Sequence, residues 1–226
     1  MKFSKLGFNQ NPGNTANGLV ETFLNLAAQS NRAEIFRLII ENENLEKSLE
    51  GFFGETLLHQ ALYFSAVDVS KIILEYVKNK NPVRMVSALH VAAMNGLLDI
   101  YKYISERVVN QNPRTEKSRR TPLHSAVDGG HLELCKYIIE VNGGANLGDS
   151  TGNTPLHYAI QCSGRKEIAK MIVEKAVNKN PENHLGVTPL HLAGRYDNFD
   201  VAQIIIRSEG LSWSAVKSRS GFDRNM

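Results

Sequence analysis

Five of the seven histidines fall at His59, His90, His124, His157 and His191, in steps of 31, 34, 33 and 34 residues. Imidazoles at regular intervals are the first residues to test as metal ligands, because neutral ring nitrogens bind zinc well. Their neighbours argue otherwise. Thr121-Pro122-Leu123-His124-Ser125-Ala126 recurs as Thr154-Pro155-Leu156-His157-Tyr158-Ala159 and as Thr188-Pro189-Leu190-His191-Leu192-Ala193. A histidine fixed inside a recurring phrase holds the same place in successive units. In stacked helical units equivalent residues stand about 8–10 Å apart, whereas zinc holds its ligands at about 2.0–2.3 Å. The column is therefore expected to bind no metal. His131 and His184 lie off it and read as surface or turn residues.

Nucleophilic chemistry has no better support. Cys135 and Cys162 fall on different elements of successive copies, which is no disulfide framework, so both read as reduced thiols. Cys135 lies in an apolar helical stripe and reads as packing rather than nucleophile. The sequence holds no Gly-x-Ser-x-Gly, no Gly-x-x-x-x-Gly-Lys and no Cys-x-x-Cys, hence no nucleophile elbow, phosphate cradle or redox pair. The expectation is a chain that is not an enzyme and needs no cofactor.

The elements that carry the phrase are more informative than the phrase itself. Fainter copies lie upstream: Ser87-Ala88-Leu89-His90-Val91-Ala92 and Thr56-Leu57-Leu58-His59-Gln60-Ala61 keep the hydroxyl, leucine, histidine and alanine. Thr22-Phe23-Leu24-Asn25-Leu26-Ala27 keeps all but the histidine. Each copy reads as a capping hydroxyl, a short helix, a break, a longer helix and a polar hairpin. Thr56, Ser87, Thr121, Thr154 and Thr188 suit N-cap positions, where a side-chain oxygen accepts an orphaned helix N–H. Pro122, Pro155 and Pro189 suit the first helical position, where a missing N–H costs nothing. Leu57 and Ala88 lack that restriction, which predicts looser starts. The second helices carry apolar residues at helical spacing and form the expected core: Ile72, Ile73 and Leu74; Ile100, Tyr103 and Ile104; Leu134, Tyr137, Ile138 and Ile139; Ile168, Met171, Ile172 and Val173; Val201, Ile204, Ile205 and Ile206.

A period near 33 residues carrying Thr-Pro-Leu-His-x-Ala resembles the ankyrin-repeat family, from about Gly18 to Gly210. The resemblance implies an all-α ankyrin-repeat solenoid of stacked helix-turn-helix units joined by hairpin loops, about six over residues 19–210. The first unit is atypical, as suits a terminal one. The family's histidine bonds backbone or hydroxyl groups of the hairpins, and Gly143-Gly144-Ala145-Asn146 matches its hairpin phrase rather than a nucleotide loop. The implied function is protein binding, as an adaptor or regulatory scaffold, through a concave face of first helices and hairpin tips. The alternative is the cytosolic ankyrin region of a larger channel, kinase or transcription regulator whose activity lies elsewhere.

Carried onto this chain, the position after each histidine gives Gln60, Val91, Ser125, Tyr158 and Leu192, and the position four after it gives Tyr63, Met94, Asp128, Gln161 and Arg195. Of these, Tyr63, Met94, Asp128, Tyr158, Gln161, Leu192 and Arg195 are the expected partner contacts. Lys117, Arg119 and Arg120 add a basic tip, read either as a solvated hairpin or as a contact for an acidic segment. The partner is another protein, which the sequence does not identify.

Charge and composition bound the rest. With 26 basic against 23 acidic residues and a net charge of +3, charge alone favours neither nucleic acid nor an anionic membrane. No run of 18 apolar residues occurs, which predicts no membrane insertion. The absence of a signal-peptide core and of glycosylation sequons points to a soluble cytoplasmic protein, with the nucleus as the other compartment. Residues 1–18, rich in Asn and Gly, read as a flexible tail. Residues 211–226 read as a hairpin and then Gly221-Phe222-Asp223, a further repeat cut short, as in a piece of a longer protein. The Ile204-Ile205-Ile206 face is expected to stay uncapped unless Trp213 and Val216 fold back, and the chain to be monomeric unless that face pairs.

Two irregularities carry expectations of their own. Cys162 to Lys166 holds one residue more than its equivalents, which predicts a longer turn between two helices. Met85 stands in the column of Gly54, Gly152 and Gly186, which predicts a tighter or reshaped hairpin over Val83 to Val86.

Overall fold

The structure, a computed structural model, describes residues 15–43, 52–77 and 82–210. Among the described residues lie twelve α-helices, one 3-10 turn and no strand, and the helices pack as six consecutive pairs. The fold class is the expected all-α repeat. The chain divides into two compact units, one ending at Val109 and one beginning at Asn110.

The first unit holds α1 (Thr15–Gln29), α2 (Ala33–Glu43), α3 (Phe52–Tyr63), α4 (Val67–Val77), α5 (Pro82–Met94) and α6 (Leu98–Ser105). Its helix starts depart from expectation. α1 begins at Thr15, so Thr15 to Gly18 are helix rather than tail, and residues 1–14 lie outside the described residues. α3 and α5 begin at Phe52 and Pro82, upstream of Thr56 and Ser87, which are therefore interior residues and not caps. Neither phrase carries a proline to mark a first turn. Pro82 takes that position in α5, and with Met85 rather than glycine at the bend the segment expected to form a hairpin over Val83 to Val86 stays helical.

Capping comes from elsewhere. Asn31 sits in the α1–α2 turn with φ 50, and its Oδ1 accepts the backbone N–H groups of Asp68 at 3.1 Å and Val69 at 3.2 Å. Two orphaned donors in the first turn of α4 are thus satisfied by the preceding repeat. His59 Nε2 meets Ser87 Oγ at 2.9 Å, another tie between neighbours. Phe36, Ile40, Leu62, Ile73, Leu74, Leu89, Ile100 and Ile104 are buried as the core of this unit. The tyrosine that joins them is Tyr101, which is fully buried, and not Tyr103. Ile100, Tyr101, Ile104 and Ser105 form the buried stripe of α6. Tyr103 falls off that stripe, under the Arg107 guanidinium at 3.7 Å from its ring centre.

The second unit holds α7 (Pro122–Gly129), α8 (Leu132–Asn142), α9 (Pro155–Gln161), a 3-10 turn (Ser163–Arg165), α10 (Lys166–Lys175), α11 (Pro189–Arg195) and α12 (Phe199–Ser208). Here the phrase behaves as read. Thr121, Thr154 and Thr188 are extended N-caps with proline at the first helical position. The third helical residue completes a capping box, with histidine in the role usually taken by glutamate. The N–H groups of Thr121, Thr154 and Thr188 each donate to the histidine Nδ1 at 3.1 Å. Because Nδ1 accepts, the ring proton sits on Nε2, which donates to Asn153 O from His124 at 3.0 Å and to Val187 O from His157 at 3.1 Å. His124 and His157 therefore tie their helices to the hairpin of the next repeat.

Two of those hairpins close through Asp149 N to Asn153 O and Asn183 N to Val187 O, both at 2.9 Å, with Gly152 at φ 81 and Gly186 at φ 73. A Cβ on Gly152 would lie 2.8 Å from the backbone nitrogen of His184, whereas one on Gly186 would meet nothing within 4 Å. Gly152→Ala is expected to lower stability by about 1–3 kcal/mol more than Gly186→Ala, since both lose the left-handed allowance but only the first collides with backbone. Urea unfolding of the two variants measures the difference, and equal losses would show that the neighbouring hairpin yields.

The expected longer turn is the 3-10 segment Ser163–Arg165. In the same unit, the turns after α7 and α11 reverse through a left-handed residue, Gly130 at φ 78 and Asp197 at φ 53. The added residue removes that need after α9. The segment expected to form a terminal hairpin and a truncated repeat, residues 211–226 with Trp213 and Val216, lies outside the described residues.

Candidate protein-binding surface

In the second unit the sequence-marked residues Arg120, Asp128 and Tyr158 come together around the extra turn. Asp128, on α7, pairs through one carboxylate oxygen with Arg120 and through the other with Arg165 Nη1 at 3.4 Å. Arg165 also donates to the Asp128 backbone carbonyl. The inserted residue thus delivers a guanidinium back onto the preceding repeat, across 37 positions of sequence. Arg120 lies 4.5 Å from the centre of the Tyr158 ring, and that ring meets His124 edge to face at 5.6 Å.

Tyr158 leads on to Asp149. Its hydroxyl donates to Asp149 Oδ2 at 2.6 Å, while Asp149 Oδ1 accepts from Thr151 N at 2.8 Å, Thr151 Oγ1 at 2.7 Å and Asn153 N at 3.0 Å. Burial works against charge on Asp149, but these donors outweigh it and hold the carboxyl below its ordinary range. Burial and the bond to Asp149 push the Tyr158 hydroxyl up to about 12. Burial lowers His124 to about 4, with the Arg120 charge acting the same way against the Asn153 carbonyl. It lowers His157 too, against the Val187 carbonyl. The network is therefore charged at its edges and neutral at its histidines. Cys135 is buried and raised by that burial to about 12, so its thiol stays protonated, whereas Cys162 is exposed.

The remaining contacts expected from the sequence separate by exposure. Lys117, Arg119, Gln161 and Arg195 are exposed in the second unit, and Arg120, Asp128 and Tyr158 are half-buried. Leu192 is only 7% exposed, and Ser125 in the same column is equally buried, so this position of the phrase faces inward rather than toward a partner. In the first unit Tyr63 is 71% exposed and Met94 40%. Phe64, which no motif marked, stands beside Tyr63 as an edge-to-face pair at 5.2 Å and is also exposed. It follows the last helical residue of α3, where the phrase sets no constraint.

Among the described residues no cluster of three His, Cys, Asp or Glu side chains is placed to hold a metal ion. Nor is any helix among them long and apolar enough to cross a membrane. The family model for ankyrin repeats (3 copies) matches the chain over residues 24–115, 89–183 and 141–215. No curated protein matches it closely enough to count as a relative.

Proposed function

The chain belongs to the ankyrin-repeat family, whose members are in general protein-binding scaffolds, and from that premise we propose that it works as an adaptor or regulatory module that grips another protein. The contact surface is formed by the first helices and hairpin tips, and the module acts by binding rather than by catalysis.

One observation carries the reading. Within each phrase the histidine column belongs to the scaffold, while the position four residues later stands exposed, at Tyr63 and Met94 in the first unit and at Gln161 and Arg195 in the second. Only Asp128 of that column is held by two arginines. Tyr and Arg are residue types that often dominate interfaces, and exposed methionine adapts to irregular apolar surfaces. In the second unit Arg120, Asp128 and Tyr158 support the exposed positions by fixing the shape around them, and Leu192 is not among them.

Arg195→Glu tests the reading within the second unit, because substitutions at exposed sites shift stability by only about 0.5 kcal/mol. A photo-crosslinking residue at Gln161 of the intact chain reports which proteins touch the surface. The Arg195→Glu variant is expected to lose those adducts while melting at the wild-type temperature. Adducts unchanged in identity and yield would mean that partners use a different face.

A further inference from the structure

We propose that the hairpin tip carrying Lys117 and Arg119 is a docking point for a glutamate- or aspartate-rich segment of a partner protein, with Arg119 kept in a left-handed backbone conformation for that contact. The proposal rests on the protein-binding reading above and supplies the chemistry of one partner segment.

This tip departs from its two companions in two independent ways. Arg119 has φ 52 in the column where the other two tips of the unit carry Gly152 and Gly186. A side chain in that region is strained relative to ordinary backbone, and such strain persists where the surroundings impose it, often at functional sites. The hairpin is also one residue longer, closing from Thr115 N to Arg120 O, whereas the others close from Asp149 N to Asn153 O and from Asn183 N to Val187 O. Both departures fall in a stretch that sets a cation at the apex, Lys117 in one case and Arg119 in the other. The equivalent apices carry Ser150 and Thr151, and His184 and Leu185.

The tip is held rigid from behind. Arg114 Nη1 donates to Gly148 O at 2.6 Å and to Arg119 O at 3.3 Å. Thr115 Oγ1 accepts from Arg120 N at 3.0 Å and meets Ser118 Oγ at 2.8 Å, and Ser150 N donates to Ser118 O at 2.8 Å. Arg120, which the sequence groups with the tip, is turned inward onto Asp128. Lys117 and Arg119 remain exposed and have no ion-pair partner among the described residues. Two free cations on a fixed loop match a short run of carboxylates, and a preorganised donor loses little freedom on binding. A nucleic acid would need a continuing track of cations along its phosphates, and the adjoining tips offer hydroxyls and Leu185 instead.

The test uses the intact chain and a fluorescent glutamate-rich peptide, with a glutamine-rich peptide and a single-stranded RNA as controls, read by anisotropy at low salt. The wild type is expected to prefer the acidic peptide, Arg119→Gly to weaken it about tenfold and Lys117→Ala by a smaller factor. Arg119→Gly is expected to melt at or above the wild-type temperature because it relieves the left-handed side chain. Equal peptide affinity in Arg119→Gly, a lowered melting temperature for that variant, or wild-type preference for RNA would each overturn the proposal. Adducts through Gln161 that survive Arg119→Gly alongside unchanged peptide binding would sink this docking point and leave the broader protein-binding reading standing.

Discussion

Replacing Ile138 by alanine is expected to lower the stability of the second unit by about 2–5 kcal/mol, the usual range for truncating a fully buried aliphatic side chain. Ile138 is completely buried on α8, one turn beyond Leu134 and Cys135, which are buried with it. A repeat gains its stability from its neighbours, so a cavity on the face of a second helix weakens the interface as well as its own unit. Thr121→Ala removes a cap and its contact with His124 Nδ1 at 2.9 Å, for which about 1–2 kcal/mol is the expected loss. Urea unfolding at neutral pH, followed by far-ultraviolet circular dichroism, ranks the two variants. A larger loss for Thr121→Ala would mean that capping, and not burial, sets the stability of this stack.

That ordering reflects which features a sequence can express. The threonine, proline and histidine of the phrase act locally, within one helical turn and the adjoining hairpin, so their roles in the second unit follow from residue type and spacing alone. Thr56 and Ser87 show the limit: a hydroxyl caps a helix only when the chain bends before it, and here the helices start upstream of both residues. Tyr101 and Tyr103 are two residues apart on α6, and which one turns inward depends on the phase of that helix against its neighbours rather than on its own apolar content. Leu192 is buried for a related reason, since the residue after the histidine faces inward there as it does at Ser125, which spacing alone does not reveal. The surface network was least legible. The added residue near Cys162 announces a longer turn, but nothing in its sequence neighbourhood says that Arg165 reaches Asp128. Arg119 is marked in the sequence only as a basic residue, and its left-handed backbone conformation emerges in three dimensions.

Acidification from pH 6.5 towards pH 4 is expected to remove about 3 kcal/mol of stability through His124 alone. Burial lowers its folded pKa from 6.5 to about 4. As pH falls through 6.5 the unfolded chain takes up a proton at this ring and the folded chain does not, so protonation draws molecules toward the unfolded state. The contribution is complete above pH 6.5, declines across the interval and is lost below about pH 4, at about 1.4 kcal/mol per pH unit of separation. His157 is shifted in the same direction by its own burial and adds to the loss. Asp149 acts in a different window: its carboxyl is held below the ordinary value of 3.8, so the stability it brings persists until the pH has fallen beneath that value. Burial is the main cause, and protonation would also cost the bond in which Nδ1 accepts the Thr121 N–H at 3.1 Å. A proton on that nitrogen breaks the capping box and leaves a cation beside Arg120. His124→Asn removes the titration while keeping a short polar side chain. Measured by urea unfolding at intervals across this range, the wild type is expected to lose about 3 kcal/mol more than the asparagine variant, whatever their difference at neutral pH. Parallel pH profiles would show that the ring accepts its proton without leaving its place, and that the histidine column binds the repeats together by packing rather than by its unprotonated nitrogen.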